Sequence, residues 1–418
     1  MLSALSSPVD NAIIARLRAA EQHGPGPGRL AALLGLVADA MALCEARLPD
    51  ILGSGGPADV RAAALHLLSA GGKRVRPLLL ALSARACRPD SPPRLPPLAA
   101  LMAAAELTHT ATLLHDDVID VSAVRRGLPT ARMRWGNAVS VLAGDYVLTR
   151  ALEEVEQAAV PGAMPALLST IRAMIAGEAL QLSLRGRADV QIRDYEQVVD
   201  GKTAALFAFC GRAGALAVGT AEHGAVLADY AGHLGRAFQI VDDVLDIDGD
   251  PEAIGKAVLS DVHEGKLTLP VLMALEARPS LREPLRGAAL RDDGMPEPLL
   301  NRLRDALSDS DAPRRARAVA ATTSSRGNTA SRQEKATLPA GWALWWRASS
   351  RRSRAKLITS TLLAVATPIV MMEPVSAGTL SVVSVRNSIH AMPAKAAGKA
   401  AMMISASIQD WKFTTTSK

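Results

Sequence analysis

The residues best suited to chemistry are aspartates, and they come in two matching sets. Asp116, Asp117 and Asp120 close the stretch LAALMAAAELTHTATLLHDDVIDV (98–121), and Asp242, Asp243 and Asp246 close RAFQIVDDVLD (236–246), both spaced D-D-x-x-D. Neither stretch contains Gly or Pro, so each predicts a helix. At about 100° per residue, Ala105, His109, Thr112, Asp116 and Asp120 share one stripe, while Asp117 leaves it for a hydrogen-bonding role. Gln239, Asp242 and Asp246 share a face in the same way, with Asp243 off it. Carboxylates four residues apart on a helix repel each other, so on an inward face they call for a cation between them. Hard oxygen donors without Cys or His companions favour Mg²⁺ over Zn²⁺. One such motif alone would be no more than a solvated helix end; two suggest carboxylate walls facing across a cavity, holding a cluster of ions around a diphosphate.

Groups suited to phosphate stand nearby. Gly71-Gly72-Lys73-Arg74-Val75-Arg76-Pro77 closes a loop and opens a helix, and Lys73 and Arg76 can project toward one anion. Arg125 and Arg126, followed by Gly127, lie just past the first acidic set. Either basic pair alone would read as solvated surface; their joint occurrence around two acidic motifs argues for a site.

The elements that must position these groups are helices. From Leu30 to Ala318 the chain reads as successive Ala- and Leu-rich helical segments broken by Gly and Pro clusters, with no convincing strand alternation and aromatics at only 3%. Cys44, Cys87 and Cys210 stand singly and read as core residues in a reducing compartment, which implies a cytoplasmic protein. The N-terminus is polar, then amphipathic, unlike a signal peptide.

The net charge of +6 is unevenly spread: residues 1–318 carry 34 basic against 38 acidic side chains, and residues 319–418 carry 13 against 3. The basic balance belongs to the last hundred residues and is no argument that the body binds nucleic acid. The expected organisation is an N-terminal extension (1–29), a catalytic domain (30–318) and an atypical, poorly ordered basic tail (319–418). In that tail a 16-residue apolar run, Leu357–Met372, follows a basic cluster. It is short of the about 20 residues that span a bilayer, and Pro368 interrupts it.

Taken in order, G-G-K-R-x-R-P, H-T-x-x-L-L-H-D-D-x-x-D, R-R-G, G-D-Y, G-K-T-A, F-Q-I-x-D-D-x-L-D and E-G-K-x-T-L-P resemble the trans-isoprenyl diphosphate synthases, the polyprenyl synthetase family. The resemblance implies an all-α fold, a large helical bundle around a central catalytic cavity, in a homodimer. It implies Mg²⁺-dependent condensation of isopentenyl diphosphate with an allylic diphosphate, using up to three ions. By the same resemblance Asp116, Asp120 and Asp242 hold the metal. Arg125 and Lys202 grip the allylic diphosphate, with Lys256 and Lys266 near it. Lys73, Arg76, His109 and Arg126 hold isopentenyl diphosphate, and Thr203 and Gln239 offer oxygens to the allylic cation. The small residues Thr108, Ala111 and Thr112, about one turn before Asp116, would floor the hydrocarbon channel and admit a medium to long product, released with peripheral membrane contact.

One departure is that Gly255-Lys256-Ala257-Val258-Leu259-Ser260-Asp261 stands where the family reads G-K-P-x-G-x-D. Another is that the family's closing amphipathic helices give way near Ala318. Two further readings stay open. A class I terpene cyclase would normally lack G-G-K-R-x-R-P and carry a mixed second motif. A non-catalytic partner subunit would tend to lose one acidic motif, and this chain keeps both.

Overall fold

A computed structural model describes residues 29–88, 93–248, 259–288 and 295–333. The basic tail beyond Gln333, with its apolar run, lies outside the described residues, as do residues 1–28 and Lys256. The helices run in order α1 (Arg29–Gly53), α2 (Ala58–Ser69), α3 (Val75–Cys87), α4 (Leu95–Ile119), α5 (Ala131–Ala158), α6 (Ala163–Leu184), α7 (Ile192–Val199), α8 (Ala205–Ala217), α9 (Gly224–Asp248), α10 (Ser260–His263), α11 (Leu269–Ala277), α12 (Arg282–Leu285), α13 (Glu297–Asp309) and α14 (Ala312–Gln333). The expected all-α architecture is what forms. Among the described residues the only strands are two-residue pairs, Val124–Arg125 against Leu128–Pro129.

Helix α4 is the axis of the fold. Every residue from Leu98 to Thr108 is buried, so this helix is enclosed on all sides. The one acid between Leu98 and Thr108, Glu106, is tolerated there because Arg74 donates to it at 2.7 Å and to Glu45 at 2.7 Å. Arg74 is therefore a structural cation, although it belongs to the Gly71–Pro77 motif.

The apolar interior forms two clusters. One gathers α1 to α6, α8 and the Tyr230–Leu234 part of α9. The other gathers the Ala237–Val244 part of α9, Leu259, α11, α13 and the start of α14. Helix α14 runs through the composition break at 318, and Ala316 and Ala320 are buried in the second cluster, Ala320 at 2% exposure. Helical structure thus continues past residue 318 although Val, Thr and Ser are common there, and the burial of Ala316 and Ala320 helps to hold it.

Candidate active site

The first acidic motif sits at a helix C-terminus, where the peptide dipoles add negative potential and so heighten the need for cations. Asp116 lies in the last turn of α4, which ends one residue before Asp120, and Asp242 lies two turns before the end of α9. Asp116 and Asp242 line one cavity of about 870 Å³. Lys73, Arg76, His109, Arg125, Arg126, Lys202, Thr203, Gln239 and Lys266 line the same cavity. Thr108, Ala111 and Thr112 line it too, beside apolar Leu148, Ile171, Met174 and Ile175. Asp120 stands beside the cavity, bound to one of its lining residues, Lys266.

The chain's own cations hold the first acidic motif. Lys202 Nζ lies 3.6 Å from Asp116 Oδ2, donates to Gln181 Oε1 at 2.9 Å and pairs with Glu178. Asp120 pairs with Arg185 and, at 2.9 Å, with Lys266. Burial, with help from Glu178 and Asp120, raises the Asp116 carboxyl despite Lys202. Burial would raise Asp120 as well, but Lys266, Lys202 and Arg185 outweigh it and hold that carboxyl below its usual range. Asp117, placed off the stripe by its spacing, is buried and accepts from Arg125 Nε at 2.6 Å.

The second motif divides its labour differently. Asp243 is buried and accepts from Tyr195 Oη at 2.6 Å and Gln239 Nε2 at 2.8 Å. Burial and the nearby Asp261 push its carboxyl well up, against these two donors. Asp246, which shares a face with Asp242, instead caps the short α10: Ser260 Oγ donates to it, and so does the Asp261 amide at 3.2 Å. Leu259, where the family has a glycine, has φ of +64° and is fully buried in the second cluster. A leucine in this region costs roughly 1–2 kcal/mol, which its burial offsets.

Local backbone devices aim the cations. Arg126 and Gly127 both have positive φ (+54° and +78°), the geometry of a tight two-residue hairpin turn, which sets Arg125 and Arg126 at the cavity wall. Lys202 and Thr203 lie in a π turn, Asp200–Ala204, interposed between α7 and α8. That turn presses on α6 through two glycines: a Cβ on Gly177 would lie 2.5 Å from the Lys202 nitrogen, and one on Gly201 2.8 Å from the Ala173 oxygen.

His109 sits among arginines. Burial first, then Arg76, Arg126, Arg125 and Arg74, holds its imidazole well below its ordinary value, so it is neutral at pH 7. Arg76 stacks over Phe207 with its guanidinium carbon 5.1 Å from the ring centroid. This crowd of positive charge facing a cavity is unfavourable until an anion enters.

The donor set suits a divalent cation. It offers hard carboxylate oxygens without thiol or imidazole, now balanced by lysine and arginine. Among the described residues no three Asp, Glu, His or Cys side chains form a cage of their own. Mg²⁺ seldom uses such cages, completing its shell with water and substrate phosphate.

Four contributors escaped the sequence reading: Glu178, Gln181, Arg185 and Tyr195. A signal existed for two, since Glu178 is the sole acid of apolar α6 and Gln181 follows one turn later. That helix is long and apolar enough to cross a membrane by composition alone. Its polar pair faces Lys202, however, which marks it as a wall of the cavity.

The chain is similar to known proteins in sequence and in fold. Residues 57–298 match the family described as Polyprenyl synthetase. An all-trans-nonaprenyl-diphosphate synthase (geranyl-diphosphate specific) of Rhodobacter capsulatus is 38% identical over 211 residues, 50% of this chain and 64% of that relative. Component 2 of the heptaprenyl diphosphate synthase of Geobacillus stearothermophilus is 40% identical over 249 residues, 59% of this chain and 76% of its own. The crystal structure of a polyprenyl synthase from Caulobacter crescentus CB15, complexed with calcium and isoprenyl diphosphate, superposes with a TM-score of 0.70 at 33% identity. That superposition covers 82% of this chain and 97% of the other. Motif order, cavity lining and these likenesses agree, and the chain belongs to the polyprenyl synthetase family of prenyltransferases.

Proposed function

We propose that the chain condenses isopentenyl diphosphate with an allylic diphosphate, in a Mg²⁺-dependent reaction, to give a medium- to long-chain all-trans polyprenyl diphosphate. The observation that carries this is one cavity with carboxylates and a basic cluster along part of its wall and small or apolar residues along the rest.

Diphosphate leaves only when its charge is neutralised. Asp116, Asp120 and Asp242 would hold Mg²⁺, which supplies part of that neutralisation when bound. Lys202, Lys266 and Arg125 supply more, and each now rests on a carboxylate from which it can turn to the phosphate. Lys73, Arg76, Arg126 and His109 hold the second diphosphate. Thr203 Oγ faces the carbon that becomes cationic, and the apolar wall keeps water from it. The departing diphosphate takes the final proton.

Product length follows from the wall. A cavity of about 870 Å³ is near the top of the roughly 300–1,000 Å³ range of small-molecule sites. Ile175 lines it while 64% exposed, so its apolar end opens on the face of α6. Leu142, Leu168 and Leu182 are also exposed on α5 and α6. A second copy of the chain seated there would complete the wall and make the homodimer. The reading places the protein in the cytoplasm, with membrane contact at product release.

The test is incubation with Mg²⁺, isopentenyl diphosphate and primers of several lengths, with products sized by chromatography and assembly measured by light scattering. Turnover giving products of about 20 carbons or more supports the reading. A protein inert with every primer defeats it and favours a partner-subunit role.

A further inference from the structure

Thr203 and Gln239 belong to a longer chain of hydrogen bonds, and its far member, Tyr195, has no part in the chemistry above. Tyr195 Oη donates to Asp243 Oδ2 at 2.6 Å, and Gln239 Nε2 donates to Asp243 Oδ1 at 2.8 Å. Thr203 Oγ1 then donates to Gln239 Oε1 at 2.7 Å. Three elements are tied together: α7 through Tyr195, α9 through Gln239 and Asp243, and the π turn through Thr203. Tyr195 and Asp243 are 8% and 3% exposed, and all four residues line the cavity.

Donor chemistry gives this chain one direction. An amide has a donating end and an accepting end, so what Asp243 offers decides how Gln239 sits. Oδ2 accepts from Tyr195 and Oδ1 accepts from Gln239, so both carboxyl oxygens act as acceptors in this arrangement. The Gln239 nitrogen must then face Asp243, and its oxygen must face Thr203. A hydroxyl opposite a carbonyl oxygen has to donate. The Thr203 proton is thereby committed to Gln239, and only lone pairs remain for the cavity.

We propose that Tyr195 is a positioning residue, which sets the sense of the Gln239 amide through Asp243 and so holds Thr203 Oγ1 with its lone pairs toward the developing allylic cation. The inference rests on the proposed condensation. Without the tyrosine hydroxyl, Asp243 is free to rotate, the amide can flip, and Thr203 can turn its proton toward the positive carbon. Ground-state binding of the diphosphate is untouched, because none of these groups grips phosphate.

The experiment is a double-mutant cycle on the full chain with Tyr195→Phe and Thr203→Val, and with Thr203→Ser as the conservative control. Three quantities are read: kcat, KM for both substrates, and the dissociation constant of a non-ionising allylic thiolodiphosphate. Tyr195→Phe is expected to lower kcat roughly fivefold to tenfold, the worth of about one hydrogen bond. It should leave both KM values and analogue binding unchanged. The loss should persist beside Thr203→Ser and vanish beside Thr203→Val, since the hydroxyl being oriented is then gone. An unchanged kcat, a loss that multiplies with Thr203→Val, or weakened analogue binding would each overturn the role, the last by showing that Tyr195 merely holds the fold. An inactive wild-type chain would overturn the condensation reading and this inference with it; an active wild type with any of those outcomes overturns this inference alone.

Discussion

Gly177 and Gly201 lie back to back where α6 crosses the π turn, close enough that a Cβ on Gly177 would meet the Lys202 backbone nitrogen at 2.5 Å. The obstacle is main chain, so no side chain can rotate away to make room. Gly177→Ala should therefore push the π turn outward and take Lys202 and Thr203 with it. We expect a loss of about 1–3 kcal/mol in stability, as for other overpacked sites. Turnover should fall further than stability alone explains. Thermal unfolding and kcat of Gly177→Ala, set beside Ala176→Gly as a control on the exposed face of the same helix, check this.

The aspartates should separate by task. Asp116→Ala and Asp242→Ala should each lower kcat by about a hundredfold or more, as when preorganised charge stabilisation is removed. Asp117→Asn should act differently, because Asp117 anchors Arg125 at 2.6 Å. Its effect should appear as a raised KM for the allylic diphosphate, with metal dependence intact. Steady-state kinetics at varied Mg²⁺ distinguish these, and equal small losses for all three would contradict the two-wall arrangement.

Asp120 is already paired with Arg185 and Lys266, so a metal must compete with the chain's own cations. Arg185→Gln should remove one competitor and tighten Mn²⁺ binding to the substrate-free protein by roughly fivefold, a coupling of ordinary size. Calorimetric titration reads this without turnover. Weaker binding in the variant would mean that Arg185 shapes the metal site.

His109 gives the fold a pH dependence of known sign. Its imidazole, held low by burial and four arginines, stays neutral when folded, whereas the unfolded chain takes up a proton near pH 6.5. The stability is therefore full above that value and is lost as pH falls below it, by at most about 1.4 kcal/mol per pH unit. His109→Gln should flatten this part of the profile. Melting temperatures of both proteins between about pH 7 and pH 5 test it.

Ala111 lines the cavity and is 1% exposed. A phenylalanine there must project into the cavity or cost about 1–3 kcal/mol in repacking. Ala111→Phe should shorten the products, as chromatography would show. Unchanged products with activity retained would place the floor elsewhere, among Leu148, Ile171 and Met174.

Much of this was legible in the sequence because the signals were local. The two D-D-x-x-D helices, the Gly71–Pro77 loop and the R-R-G turn each carry their chemistry within a few residues, and helical periodicity placed Asp116 and Asp242 facing inward. What could not be read depended on contacts between distant segments. That Asp246 caps α10 rather than facing the cavity follows from a loop fourteen residues on. That Arg74 is structural while Arg76 faces the site depends on Glu45 and Glu106. Tyr195 looks like any core tyrosine until Asp243, forty-eight residues later, is set beside it. The strand pair also escaped, since two residues are too few for alternation to register.

The two apolar clusters meet along the cavity, with Asp116 carried by the first and Asp242 by the half of α9 that belongs to the second. A pair of diphosphates gripped from both sides is then a keystone between two halves of the molecule. The chain would be stiffest while the bond is being made and loosest once the product has gone, so that each catalytic cycle is also a cycle of bracing and slackening of the whole body.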